Sequence, residues 1–246
     1  MNWLTKTIKP VKDVIKKQLT SYGGELQASV CTGEAIQQYY KKMFVILDNG
    51  HGEETPGKRS PDGKFREYKY ARLIVSKIAL ELSKLGIEYH ILVPETRDIS
   101  LQDRVIRANN IYKKEKAKGK TVILLSIHVN AAGHGKEWMS ARGWSGWTSR
   151  GTTESDTIAS CLYQAAHEIL DPKGIQIRRD RSDGDEDWES NFTIIYKTAM
   201  PAVLTENFFQ DNKQDVAYLE SEQGQKDVVD IHIKGLQKYI KLKFCK

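Results

Sequence analysis

The strongest constraint on the fold is an alternation, from Met43 onward, of short apolar runs with stretches of helical periodicity. That is the pattern of βαβ units, which build a largely parallel sheet. MFVILD (43–48) reads as a buried strand and TVILLSI (121–127) as the most apolar one. YHILV (89–93), NFTIIY (191–196) and PAVLTEN (201–207) read as further strands, and GWSGWTS (143–149) as an edge strand. Between them, Ala71, Ile74, Val75, Ile78, Leu82 and Leu85 share one helical face that stops at Gly86. Leu101, Val105, Ala108 and Tyr112 form another face behind Ser100 and Asp103, which resemble a capping box. Ile158, Leu162, Ala165 and Ile169 mark a third helix, ended by Asp171-Pro172, and Val229, Ile233, Leu236 and Ile240 a closing one. The expected fold is α/β: a single mostly parallel twisted sheet of about six strands with helices on both faces, plus a helical N-terminal extension.

That extension covers residues 1–42, and the main domain is expected over 43–246. Leu4, Ile8, Val11, Ile15 and Leu19 recur at helical spacing among lysines, which reads as a basic amphipathic helix. It would pack on the domain or on a partner subunit, or lie on a membrane surface. Tyr22-Gly23-Gly24 ends it, and a second short segment over Ala35 to Lys42 leads into the domain.

In 246 residues, 39% hydrophobic and 28% charged, there is material for a sizeable core and no membrane-length apolar run. The N-terminus has neither an h-region nor a small-residue cleavage site, so the expectation is cytoplasmic synthesis without a signal peptide. Cys31, Cys161 and Cys245 are odd in number and far apart, which argues against a disulfide framework and for free thiols. The net charge of +6 suits an anionic partner, whether nucleic acid, acidic membrane or wall polymer. No RNP pattern, paired Cys/His finger or arginine-crowded helix accompanies it, so nucleic acid is not expected as a partner.

Sites in open α/β sheets form outside the carboxyl ends of the parallel strands. His51 follows the first strand in the turn DNGHG, His128 closes the strand 121–127, Glu206 ends the strand from 201, and Glu67 opens a helix running back along the sheet. A lone histidine after a strand is more often a hydrogen-bonded turn residue than a ligand; here four polar residues converge on one edge. Two histidines and a carboxylate suit Zn²⁺, which takes three protein ligands in a catalytic site, and Glu206 is then free to act on water. His134, in a glycine-flanked loop, is the rival ligand; His90 lies in a strand and His167 and His232 on helices.

VILDNGHG, a helix-opening glutamate, TRDISLQDRVIRAN, LLSIHVNAA and MPAVLTENFFQDN occur in that order from Met43 to the C-terminus. This set resembles the zinc-dependent N-acetylmuramoyl-L-alanine amidases of the amidase_3 type. The resemblance implies one zinc ion per chain on His51, Glu67 and His128, Glu206 as the general acid/base, and peptidoglycan as substrate. The reaction would cut the amide between N-acetylmuramic acid and the L-alanine of the stem peptide by means of a zinc-activated water. A zinc peptidase acting within the stem peptide, or an idle wall-binding or virion module, are the competing readings. A wall hydrolase made without a signal peptide would act after lysis, as a phage endolysin, or after dedicated export.

Asp48, Asn130 and Asn207 stand beside these residues, either as groups that orient them or contact substrate, or as plain turn and strand-end residues. Two features depart from the family's pattern. The family's Gly-Phe pair after the catalytic glutamate is replaced by Phe208-Phe209, and the loop GEETPGKRSPDGKFR carries Lys58, Arg59, Lys64 and Arg66, which would contact substrate carboxylates or simply be solvated. The acidic run Asp183, Asp185, Asp187 and Glu189 lacks the full calcium-loop spacing and reads as a solvated loop. Trp144, Trp147 and Trp188 would either stack on sugars or pack in the core.

Overall fold

The computed structural model describes residues 33–245, so the basic amphipathic stretch expected over residues 4–19 lies outside them. The chain runs α1 (Gly33–Lys42), β1 (Met43–Asn49), α2 (Glu67–Leu85), β2 (Glu88–Ile91), α3 (Leu101–Ala117) and β3 (Thr121–Asn130). It continues through β4 (Ser145–Thr148), α4 (Glu154–Leu170), β5 (Trp188–Glu189), α5 (Thr193–Tyr196), β6 (Ala202–Phe209), α6 (Lys213–Glu220) and α7 (Glu222–Phe244). The sheet has six strands in the order β2-β1-β3-β6-β4-β5. β1, β2, β3 and β6 are parallel, β4 runs antiparallel to β6, and β5 follows β4 in parallel.

The central strands are apolar on both faces because both faces are covered. Val45, Leu47, Ile123, Leu125 and Val203 pack with α2, α4 and α7 on one side. Phe44, Ile46, Val122, Leu124 and Leu204 pack with α3 and α5 on the other. Burying each such side chain contributes about 1.5–3 kcal/mol. The helix α1 joins the first of these cores through Tyr40, and the Tyr39 ring stacks on Phe244 at 5.2 Å. Left-handed Gly86 closes α2 as expected, and Ser100 caps α3 by accepting the Asp103 N–H, while the Asp103 carboxylate takes the Ser100 hydroxyl instead of completing the expected capping box.

Three expectations are corrected. NFTIIY (191–196) holds no strand: Thr193–Tyr196 is one helical turn whose consecutive Ile194 and Ile195 both enter the second core, whereas a strand would send them to opposite faces. The sixth strand is instead the two-residue β5, and its pairing with β4 makes β4 an interior strand rather than an edge. Cys161 is a buried free thiol, but Cys245 is disulfide-bonded, since separation along the chain does not limit which thiols meet. Among the described residues no helix is long and apolar enough to cross a membrane.

Candidate metal centre and active site

The polar ends of the central strands lie level with one another. Asp48 on β1 pairs with Ser126 on β3, and His128 on β3 pairs with Glu206 on β6. Directly paired residues share a face, so His128 and Glu206 stand side by side.

His51 sits just beyond β1 in the left-handed region, φ 58°, a conformation that costs a non-glycine residue about 1–2 kcal/mol. Two guanidiniums hold it there: Arg72 Nη1 and Arg104 Nη2 each donate to the His51 carbonyl at 3.1 Å. Both flanking glycines are required by close approach. A Cβ on Gly50 would stand 2.5 Å from the His128 ring, and one on Gly52 would stand 2.2 Å from the Asp98 backbone.

Glu67 is fully buried at the start of α2, its N–H bonded to the Lys58 carbonyl at 3.1 Å. Its Oε1 accepts the Val129 N–H at 3.0 Å and lies 3.1 Å from His128 Nδ1 and 3.5 Å from His51 Nε2. The two imidazoles are perpendicular, with centroids 4.9 Å apart. One ligand atom from each of His51, Glu67 and His128 lies within 4.8 Å of the others, and among the described residues no other group of three ligand-type side chains converges in this way.

This set fits zinc. Two ligands bound at 2.0–2.1 Å with tetrahedral angles stand about 3.4 Å apart, close to the two carboxylate-to-imidazole separations here. Glu67 Oε2 is buried with no hydrogen-bond partner, an acceptor that a cation would satisfy.

The protein's own electrostatics favour the ligating forms of His51 and Glu67 but not of His128, whose proton a metal would displace. Burial pushes His51 down to about 4, with His128, Lys58 and Arg104 adding to it and Glu67 opposing, so the ring is neutral and free to ligate. For His128 burial is the largest single influence and acts downward. The hydrogen bond and charge of Glu67, with Glu206 and Asp48, outweigh it and raise the imidazole above its usual range. Glu67 is in turn held low despite its burial, by the His128 hydrogen bond and the charges of both histidines and Lys58. Burial lifts Glu206 to about 7, opposed by His128 and Lys58 and assisted by Glu67; its Oε2 has no partner. A carboxyl group that gains and loses its proton near neutrality is suited to general acid/base work.

The remaining candidates are placed as follows. Asp48 does not touch the histidines; it accepts from Arg104 at 2.7 Å and Ser126 at 2.6 Å, and so fixes the guanidinium that holds the His51 turn. Asn207 donates to the His128 carbonyl at 3.0 Å and accepts the Trp144 indole N–H at 3.0 Å, tying β6 to β3. Among the described residues the Asn130 side chain bonds only the neighbouring Ala131 N–H, and Asn130 is a strand-end residue. Trp144 is fully buried against Tyr163, while Trp147 and Trp188 are half-buried with ring centroids 5.3 Å apart. Of the basic loop, Arg66 is occupied by the Glu53 carbonyl, whereas the charge of Lys58 is felt at His51, Glu67 and Glu206. His232 is a core residue bonded to Thr205 and Val228.

Sequence reasoning passed over Arg72 and Arg104. Arg104 was visible as a charge inside the apolar stripe of Leu101, Val105 and Ala108, where a buried guanidinium must find acceptors. Phe208 stands where the family's glycine is expected; its backbone is left-handed, φ 68°, a conformation that glycine adopts without strain, and its ring packs on Tyr218 at 5.1 Å.

A doubly covered, mostly parallel sheet with a His-Glu-His cluster and a near-neutral glutamate at its carboxyl edge carries the groups that a metal-assisted hydrolase of the α/β class requires. The chain belongs to the Amidase_3 family, N-acetylmuramoyl-L-alanine amidase, whose sequence model matches residues 45–238. It is 29% identical to the endolysin of Bacillus phage SPP1 over 204 residues, covering 81% of this chain and 67% of that protein. It is 30% identical to the sporulation-specific N-acetylmuramoyl-L-alanine amidase of Bacillus subtilis (strain 168), over 81% of this chain and 69% of the relative. The fold is similar to the crystal structure of an N-acetylmuramoyl-L-alanine amidase from Clostridium difficile 630, with a TM-score of 0.69, 25% identity, and coverage of 82% of this chain and 99% of that one.

Proposed function

We propose that residues 43–246 form a zinc-dependent amidase that hydrolyses the bond between N-acetylmuramic acid and the first L-alanine of the peptidoglycan stem peptide. The observation that carries this reading is the convergence of His51, Glu67 and His128, with a second carboxylate, Glu206, paired across the sheet to His128. His51, Glu67 and His128 would hold the metal. When bound, zinc supplies Lewis-acid polarisation of the scissile carbonyl and lowers the pKa of water to about 7.

The chain's own residues do the rest. Glu206 takes a proton from the attacking water as its oxygen bonds to the lactyl carbonyl carbon. It then delivers that proton to the alanine nitrogen as the C–N bond breaks. Without that delivery the amine is a poor leaving group. The products are a glycan with a free lactyl carboxylate and a peptide with a free L-alanine amino terminus. Arg104 and Arg72 keep His51 in its left-handed turn, and Asn207 keeps β6, with Glu206, in register beside His128.

The likeness to a phage endolysin supports action on the cell wall. Whether the basic stretch before α1 meets the domain itself, a second copy or a membrane surface is open to test by comparing the full chain with one starting at Gly33, which keeps the packing of α1 on the core. Mass spectrometry of digested peptidoglycan, with and without a chelator, tests the whole proposal. Muramic acid lactyl ends and free alanine amines are expected only without chelator, and new ends inside the stem peptide would replace this reading with a peptidase. Glu206→Ala should keep zinc and lose turnover by at least ~10²-fold, whereas His51→Ala and His128→Ala should lose the metal itself; a Glu206→Ala enzyme of full activity would refute its role.

A further inference from the structure

Beyond Glu206 the sheet continues into a strip that hydrolysis itself does not use. Ser145 of β4 pairs with Glu206 and Trp147 with Leu204, and Trp147 also pairs with Trp188 of β5. Alternation along β4 puts Ser145 and Trp147 on one face, and register with Glu206 makes it the catalytic face. There the Trp147 ring meets Trp188 and Phe192, each at 5.3 Å.

Arg178 spans this strip. Its guanidinium lies over Trp188 at 5.6 Å and over Phe209, three residues past Glu206, at 5.1 Å. Neighbouring Arg179 and Arg181 both pair with Glu186. Among the described residues the Arg178 side chain has neither a carboxylate partner nor a hydrogen bond. The Trp188 indole N–H beside it is buried and also has no acceptor. Ring faces attract a guanidinium but leave its N–H edge unsatisfied. That edge has the geometry to grip a carboxylate through two parallel bonds, and holding it between rings reduces the entropy lost on doing so.

Ordinary strand spacing, two strands over and two residues along, puts Trp188 about 12 Å from Glu206. An extended peptide covers about 7 Å in two residues, and a side chain spans the remainder.

We infer that Arg178, with the Trp188 indole N–H, is a receptor for a carboxylate on the side chain of the third stem-peptide residue. The inference rests on the amidase reading above and adds to it a preference for walls whose third residue is anionic over walls whose third residue carries an ammonium group.

Three soluble muramoyl tripeptides, identical except for glutamate, glutamine or lysine at the third position, test it. The expected order of kcat/KM is glutamate, glutamine, lysine. The first step should be roughly 10-fold to 100-fold, the range that hydrogen bonds to a charged group supply, and should be carried mainly by KM because the contact is remote from the reacting bond. Arg178→Met should bring the glutamate substrate down to the glutamine value with zinc retained, and Arg178→Lys should recover part of the preference. Trp188→Phe, which keeps a ring under the guanidinium and removes only the N–H, should weaken the preference in the same direction and covers the case in which Arg178→Met does not fold. A wild-type enzyme that treats the three substrates alike, or an Arg178→Met enzyme that discriminates as well as wild type, overturns the inference and leaves the amidase standing. A wild-type enzyme inactive on all three overturns both.

Discussion

At the scale of single residues, the site combines two left-handed non-glycines, His51, held by two guanidiniums, and Phe208, held by ring packing. Phe208 lets opposing magnitudes be compared. Replacing it by glycine relieves about 1–2 kcal/mol of backbone strain but removes a buried ring, worth about 3–5 kcal/mol. The cavity should win: Phe208→Gly is expected to lose about 2 kcal/mol in urea denaturation, and a gain in stability would mean that the ring contributes little packing. The four central polar residues were legible because each follows an apolar run or opens a helix, so strand polarity alone gathers them at one edge. Arg72 was not, because its acceptors are backbone carbonyls, which leave no mark in a sequence, whereas Arg104, which also binds the Asp48 carboxylate, left one as a charge inside an apolar stripe. Asn130 was legible only as a neighbour of a ligand, and its side chain turns out to serve the chain next to it.

At the scale of elements, β1, β3 and β6 could be read directly, since a strand buried on both faces is apolar without interruption. The β4–β5 ribbon could not. Two residues give no period, and the apolar run 191–196 fits a helical turn as well as a strand until its partners are known. The ribbon is clipped by Thr148, whose hydroxyl donates at 2.7 Å to Asp187, which is buried and not solvated as the acidic run suggested. Burial, reinforced by Asp185 and Asp156 and opposed by Thr148, lifts the Asp187 carboxyl to about 8. Folded Asp187 therefore keeps a proton that the unfolded chain has released, over a window from about pH 4 to about pH 8. Its contribution to stability is greatest at the acid end and is lost as pH rises through that window. Asp187→Asn keeps an acceptor for Thr148 and cannot ionise, so its melting temperature should gain on wild type steadily from pH 5 to pH 8; parallel curves would contradict the assignment.

At the scale of the whole molecule, the two cores lie on either side of the sheet and the candidate metal ligands lie at its rim. The fold does not depend on the ion in the way a zinc finger does. Chelation is expected to abolish hydrolysis while leaving the far-ultraviolet circular dichroism intact. Binding at a hundred times Kd stabilises by about 2.7 kcal/mol, so its removal should lower the melting temperature by roughly 5–10 °C. Unfolding on chelation would show that the rim holds the sheet together after all. The reversed direction of β4 has one more consequence. Three of the four central residues are anchored to neighbouring parallel strands or their ends and the fourth to α2, while the ribbon meets them by its amino end, across a single antiparallel seam. Substitutions on the ribbon's catalytic face therefore reach whatever lies beside Glu206 without passing through the strands that hold the four central residues.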